Sequence, residues 1–139
     1  MVVVDVNVLV RALRAQTNAS HLILRRMLSG NLRFAVSPAV ALEYESVLQR
    51  PGILGDHTPL SPADIDRVLD AIFATAVETS IWFRLRPVLN DPKDELYVEC
   101  AFASGADVII TDDRHFRHPA LREFGIRALR AHEFVAGLQ

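Results

Sequence analysis

Met1-Val2-Val3-Val4-Asp5-Val6-Asn7 opens the chain with a nearly continuous β-branched run that meets an acid. β-Branched side chains crowd the preceding turn of a helix but pack well on a pleated surface. A run that is apolar at successive positions, not alternate ones, belongs to a strand covered on both faces. Val2 to Val6 therefore reads as the central strand of a parallel sheet. A second run of the same kind, Val108-Ile109-Ile110, stops at Thr111-Asp112-Asp113. Between and beyond them short apolar runs alternate with amphipathic stretches, the pattern of an α/β domain.

Working outward, a helical pattern runs from Val8 towards Arg14 and resumes from His21 to Leu28, where Gly30-Asn31 ends it. Arg33 to Val36 reads as a short strand. Ser37-Pro38 supplies an N-cap followed by proline at the first helical position, and that helix should reach about Gln49. Arg50 to Leu60, with Pro51, Gly52, Gly55 and Pro59, is the longest irregular stretch. Ser61-Pro62-Ala63-Asp64 resembles a capping box and opens a helix through Ile65, Val68, Leu69, Ile72 and Phe73. Thr79 to Phe83 reads as a strand, and Asn90-Asp91-Pro92 as the start of a helix with Asp91 as its cap. Ile126 to Leu129 reads as a last strand, followed by a helix from Ala131 to Leu138.

The 139 residues, half of them apolar, suit one domain spanning 1–139. A chain of this length buries roughly 65 to 70% of its unfolded surface and needs no disulfide or structural metal to hold a core. No apolar run approaches the ~18 residues that cross a bilayer, and Asp5 interrupts the place where a secretory signal would be apolar. A cytoplasmic protein is expected. The one cysteine, Cys100, reads as a small buried hydrophobe. With 15 basic and 17 acidic side chains there is no global cationic field, so a nucleic acid would be held by local features. Lys93 is the only lysine; the other 14 cations are arginine, whose planar fork suits phosphate, although a compositional bias gives the same pattern.

The acids fall where chemistry is expected. Asp5 lies near the carboxyl end of the first buried strand, and Asp112 and Asp113 just past that of the other. In an open parallel sheet these ends share one edge, where doubly wound folds place their ligands. On the helix after Pro92, Glu95 and Glu99 share a polar strip, whereas Asp94 falls among Val98 and Ala101. On the helix after Pro38 the apolar face centres near Tyr44, and Glu43 and Glu45 flank it on opposite borders; periodicity does not choose between them. Carboxylates gathered at one edge penalise each other's ionised form. A hard divalent cation, Mg²⁺ or Mn²⁺, compensates, and it can orient a phosphodiester and activate water. The chemistry indicated is metal-assisted phosphoester hydrolysis.

Asp5-Val6-Asn7-Val8-Leu9-Val10, Ser37 followed six residues on by Glu43, Asp91-Pro92-Lys93-Asp94, and Ile110-Thr111-Asp112-Asp113-Arg114-His115-Phe116 together resemble the PIN domain family. The likeness covers nearly the whole chain in order, and is greatest to the small toxin components of toxin-antitoxin pairs, the VapC-like group. It implies a three-layer α/β/α sandwich with a central parallel sheet, and an Mg²⁺- or Mn²⁺-dependent endoribonuclease. It further implies Asp5, Glu43, Asp94 and Asp113 as metal-holding catalytic acids, with Glu43 chosen over Glu45 by its spacing from Ser37. Asn7 and Thr111 would be polar supports. An RNA substrate, a small antitoxin partner and a homodimer follow from the same likeness. One departure is Val6, where the family usually has Thr or Ser. Asp112 reads either as a further polar support or as a solvated turn residue.

Each residue also has a plain structural reading. Asp113 fits a turn or cap, Asp94 a first-turn acid on the helix dipole, Glu43 a solvated border residue and Asn7 a helix cap. His115 and His118, near the acids, invite a zinc or general-base role, but two neighbouring histidines in a loop read more as surface residues, and metal-activated water needs no histidine. Tyr44, Trp82 and Tyr97 read as core or partner contacts more than as stacking platforms for bases. Arg11, Arg14 and Arg114 follow the acids closely and are candidates for phosphate contacts. Two other functions compete. A haloacid-dehalogenase-like phosphatase also places an Asp after its first strand, but it wants a second acid two residues on, where Asn7 stands. A degenerate PIN domain would bind RNA or protein without cutting; retention of the four acids argues against it, and Val6 argues for it.

Overall fold

The computed structural model describes residues 1–56, 60–81 and 92–138. β1 (Val2–Val4) runs parallel to β4 (Val108–Ile110), with Val4 opposite Ile110, and β4 runs parallel to β5 (Arg127–Leu129). On the other side a bridge from Val2 to Phe34 joins this sheet to a parallel pair, β2 (Ala35–Val36) and β3 (Val77–Glu78). Among the described residues the strand order is therefore β3-β2-β1-β4-β5, with β1 in the centre and β5 at an edge. Val3, Val4, Ile109 and Ile110 are wholly buried, as both-face coverage requires.

Helices pack around this sheet: α1 (Val6–Arg14), α2 (Ala19–Leu28), α3 (Pro38–Leu48), α4 (Pro62–Thr75), α5 (Pro92–Ser104), α6 (Ala120–Glu123) and α7 (Ala131–Ala136). A 3₁₀ turn, Arg114–Phe116, precedes α6. α5 lies against β1, β2 and β4, while α1 packs on α2 and α3, and α2 on α4 and α7. The result is an α/β sandwich about a central parallel sheet. Among the described residues, no helix is long and apolar enough to cross a membrane.

Local chemistry explains most boundaries. Ser37 accepts a hydrogen bond from the Val40 amide and Pro38 fills the first turn of α3. Ser61 and Asp64 form the expected capping box, each side chain taking the other's amide at 3.1 and 2.9 Å. Tyr44 stacks on Phe73 at 6.5 Å and donates its hydroxyl to the Val4 carbonyl, pinning α3 to β1. Gly105, at φ +76°, ends α5 in the left-handed conformation that side-chain-bearing residues avoid, and the Ala106 amide then bonds back to Ala101 at 3.0 Å.

The first strand is shorter than Val2 to Val6. Asp5 takes the Asn7 amide on its side chain and so starts α1 at Val6, a competition between side chain and ladder that a hydrophobic count does not see. The cap is thus Asp5 and not Asn7, which is exposed within α1. The strand expected over Thr79 to Phe83 stands earlier, at β3, although Thr79 still donates to the Val36 carbonyl at 3.0 Å. The expected cap Asp91, and Trp82 and Phe83, lie outside the described residues. The two short pieces after Asp113, the 3₁₀ turn and α6, are unmarked by periodicity because neither reaches two helical turns.

Candidate active site

Parallel pairing of β1 with β4 puts Asp5 and Thr111 side by side at the carboxyl edge, and the Asp5 amide continues the ladder by donating to the Ile110 carbonyl at 3.0 Å. The Thr111 hydroxyl donates to Asp5 Oδ2 at 2.7 Å and accepts from the Asp113 amide at 3.0 Å. One buried hydroxyl thus links the two acids. Asp5 is 3% exposed. Its carboxyl is pushed above the ordinary value, first by burial, against the bonds from Thr111 and the Asn7 amide, and with the charges of Asp113 and Glu43 adding to the rise.

The chain therefore gathers Asp5, Thr111, Asp113 and the charge of Glu43 in one neighbourhood. Glu43 is half-buried on α3, whereas Glu45 is exposed on the opposite border, over a surface shared with Gln49, Asp66 and Asp70. Asp94, in the first turn of α5, joins from a third direction. One ligand atom from each of Asp94, Asp113 and His115 lies within 4.8 Å of the others. Asp94 and Asp113 are half-buried and His115 is exposed, so the group opens to solvent. Among the described residues Asp5 and Glu43 stand outside that tight group, which is built by Asp113 capping the 3₁₀ turn and accepting the His115 amide at 2.9 Å. Oxygen donors with an imidazole at this spacing fit a small divalent cation.

The other expected residues fall into two sets. Asp112 turns away: it pairs with Arg11 at 3.0 Å and accepts the Ala131 amide at 3.3 Å, tying α1 to the start of α7. Among the described residues its side-chain bonds go to Arg11 and Ala131 and not to Thr111 or Asp113. Arg11 is thereby engaged, and Arg14 donates to the Ile53 carbonyl in the 50–55 loop. Arg114, exposed on the 3₁₀ turn, makes no side-chain bond to any described residue. His118 caps locally, accepting the Ala120 amide at 3.1 Å.

Two participants were not legible as such. His115 reads as a loop residue until the 3₁₀ turn places its Nδ1 3.2 Å from Asp113 Oδ1. Tyr97, one turn after Asp94, is buried as expected, but its hydroxyl accepts the buried Val6 amide at 3.1 Å and lies in the field of Asp5, which with burial raises its proton affinity. It fastens the helix of Asp94 to the residue after Asp5. Cys100 is buried, and burial pushes its thiol up to about 11, as an inert core residue requires.

A family model described as the PIN domain matches residues 1–115. The chain belongs to the PIN domain family. Members of this family are commonly nucleases and typically bind divalent metals. The PIN match runs from β1 through β4 into the start of the 3₁₀ turn and covers Asp5, Glu43, Asp94, Asp113 and His115. No curated protein and no solved structure gives a significant match.

Proposed function

We propose that the chain is a divalent-metal-dependent endoribonuclease acting as the toxin of a toxin-antitoxin pair. The observation that carries this reading is the meeting of Asp94 and Asp113 with buried Asp5, through Thr111, at the carboxyl edge of a parallel sheet. Asp5, Glu43, Asp94 and Asp113 are the proposed catalytic acids, with His115 as a further ligand. A bound Mg²⁺ or Mn²⁺ would lower the pKa of an attacking water and neutralise charge on the phosphate.

The residues divide the remaining work. Thr111 fixes Asp5 Oδ2 and the Asp113 backbone amide at once, so the Asp5 carboxyl and the start of the turn that carries Asp113 are held together. Tyr97 holds the chain after Asp5 against α5. Arg114, at the rim, is the arginine of the three candidates left to meet phosphate, since Arg11 and Arg14 hold protein groups. Water as nucleophile forms the new bond to phosphorus while the bond to the 3′ oxygen breaks, leaving a 5′-phosphate and a 3′-hydroxyl. An antitoxin protein and a homodimer belong to the same proposal. Leu42, 66% exposed on α3, and the exposed edge-to-face pair Phe102 and Phe124 offer apolar surface suited to such contacts.

An RNA cleavage assay with and without Mn²⁺, on wild type and Asp94→Asn, tests the proposal. Expected is metal-dependent cutting that falls at least ~100-fold in the variant, the scale of losing one preorganised electrostatic group. Cutting that survives EDTA would overturn the mechanism. Release of phosphate from small phosphomonoesters, with phosphate trapped on Asp5, would indicate a phosphatase instead, and RNA retention without cutting a binding module.

A further inference from the structure

Positive charge in this chain is segregated. Residues 114–132 carry five arginines and one acid, Glu123, a local net of +4 in a chain of net −2, so the remainder carries −6. All five arginines are exposed. Three of them, Arg117, Arg122 and Arg127, line one cleft of about 820 Å³ together with Phe116, His118 and Leu129. This volume is in the range of ligand-binding clefts, ~300–1,000 Å³.

Two acids, Asp107 and Glu133, also line the cleft. Glu133 is occupied by Arg117 at 3.2 Å and by the Arg130 amide at 3.1 Å. The side chains of Arg122 and Arg127 make no hydrogen bond or ion pair with any described residue. Arg122 and Arg127 thus line one groove without an ion pair, with the exposed Asp107 carboxyl beside them, and a partner bearing repeated negative charge would find forked donors there.

The groove follows β5, the edge strand, which spans about 10 Å at ~3.3 Å per residue. It reaches the acidic edge at one end. The Leu129 carbonyl accepts the Thr111 amide at 2.9 Å, and Phe116 closes the turn that Asp113 caps. A strand laid along β5 therefore leads towards the residues that hold Asp5 and Asp113. An acidic site repels a polyanion, so a cationic flank on the approach supplies attraction that the site itself lacks.

We propose that the Arg122–Arg127 cleft is an extended subsite for the sugar-phosphate backbone of single-stranded RNA, gripping phosphates outside the scissile bond. It rests on the nuclease reading above and deepens it. The cleft contacts phosphates and not base edges, so it adds affinity and salt dependence without sequence preference.

Fluorescence anisotropy with a labelled single-stranded RNA oligonucleotide in EDTA, where metal-dependent turnover is silent, tests this. For Arg122→Glu/Arg127→Glu the affinity should fall at least about tenfold, and the slope of log affinity against log salt by about 1 to 2. The milder Arg122→Gln/Arg127→Gln should show the same direction, and Arg25→Glu, exposed on α2, no change. Unchanged RNA affinity in both folded double variants would overturn the proposal. So would polyglutamate binding wild type as tightly as RNA does and losing as much in the variants, since the cleft would then suit an acidic protein segment. Dinucleotide cleavage with Mn²⁺ separates the two claims. Wild type should cut the dinucleotide, and a wild type that cuts nothing yet binds RNA through these arginines would sink the nuclease reading and leave the cleft standing.

Discussion

Asp5 sits under opposing forces. Burial and the charges of Asp113 and Glu43 disfavour its ionised form, while Thr111 and the Asn7 amide favour it, and the sum raises its proton affinity in the fold. Between the ordinary carboxylate value and the raised one, the folded chain holds more protons than the unfolded chain. Stability therefore rises as pH falls through that interval. Asp5→Asn removes the charge and nearly keeps the shape, so in EDTA at neutral pH its melting temperature should exceed wild type by a few degrees. The advantage should shrink as pH falls through the raised value; a variant less stable than wild type at neutral pH would contradict it. Asp113→Asn should behave differently in function than in fold. Cutting should drop at least ~100-fold, with the far-ultraviolet spectrum unchanged, because the amide that bonds Thr111 is backbone.

Two local contacts are testable alone. α5 touches the start of α1 through Tyr97, whose hydroxyl is the acceptor for the buried Val6 amide. Tyr97→Phe leaves that amide unsatisfied, at a cost of about 1–3 kcal/mol in urea unfolding. Because α5 also carries Asp94, the apparent Mn²⁺ affinity should weaken as well; a variant that loses stability but binds Mn²⁺ normally would confine Tyr97 to packing. α4 depends on its capping box, in which the Ser61 amide and hydroxyl, with Arg67 nearby, hold the Asp64 carboxyl below its ordinary value. A lowered carboxylate stabilises the fold above its unfolded value, and that stabilisation is lost as pH falls through the lowered one. Asp64→Ala should accordingly melt earlier than wild type at neutral pH, with the gap closing in strong acid.

Across the whole molecule, what could be read from sequence followed from period and punctuation. The valine and isoleucine runs located β1 and β4, and with them the edge shared by Asp5 and Thr111. Ser37-Pro38 and Ser61-Pro62 located α3 and α4. Tertiary contacts decided the rest. The choice of Glu43 over Glu45 became geometric only when α3 turned one border towards Asp5 and the other towards Asp66. Asp112 and Asp113, adjacent in the chain, part company because the chain leaves β4 there; one ties down α7 and the other caps a 3₁₀ turn. His115 gains its place from that turn, which no periodic pattern announces.

All of this turns on whether a cation collects at the edge shared by Asp5, Asp94 and Asp113. Substoichiometric Mn²⁺, followed by paramagnetic loss of backbone amide signals, asks this directly. The amides of Val6, Asn7, Thr111, Asp113 and His115 should vanish first, and Asp94→Asn should spare them at the same Mn²⁺ concentration. Preferential loss around Glu45, Asp66 and Asp70, or equal loss everywhere, would contradict it.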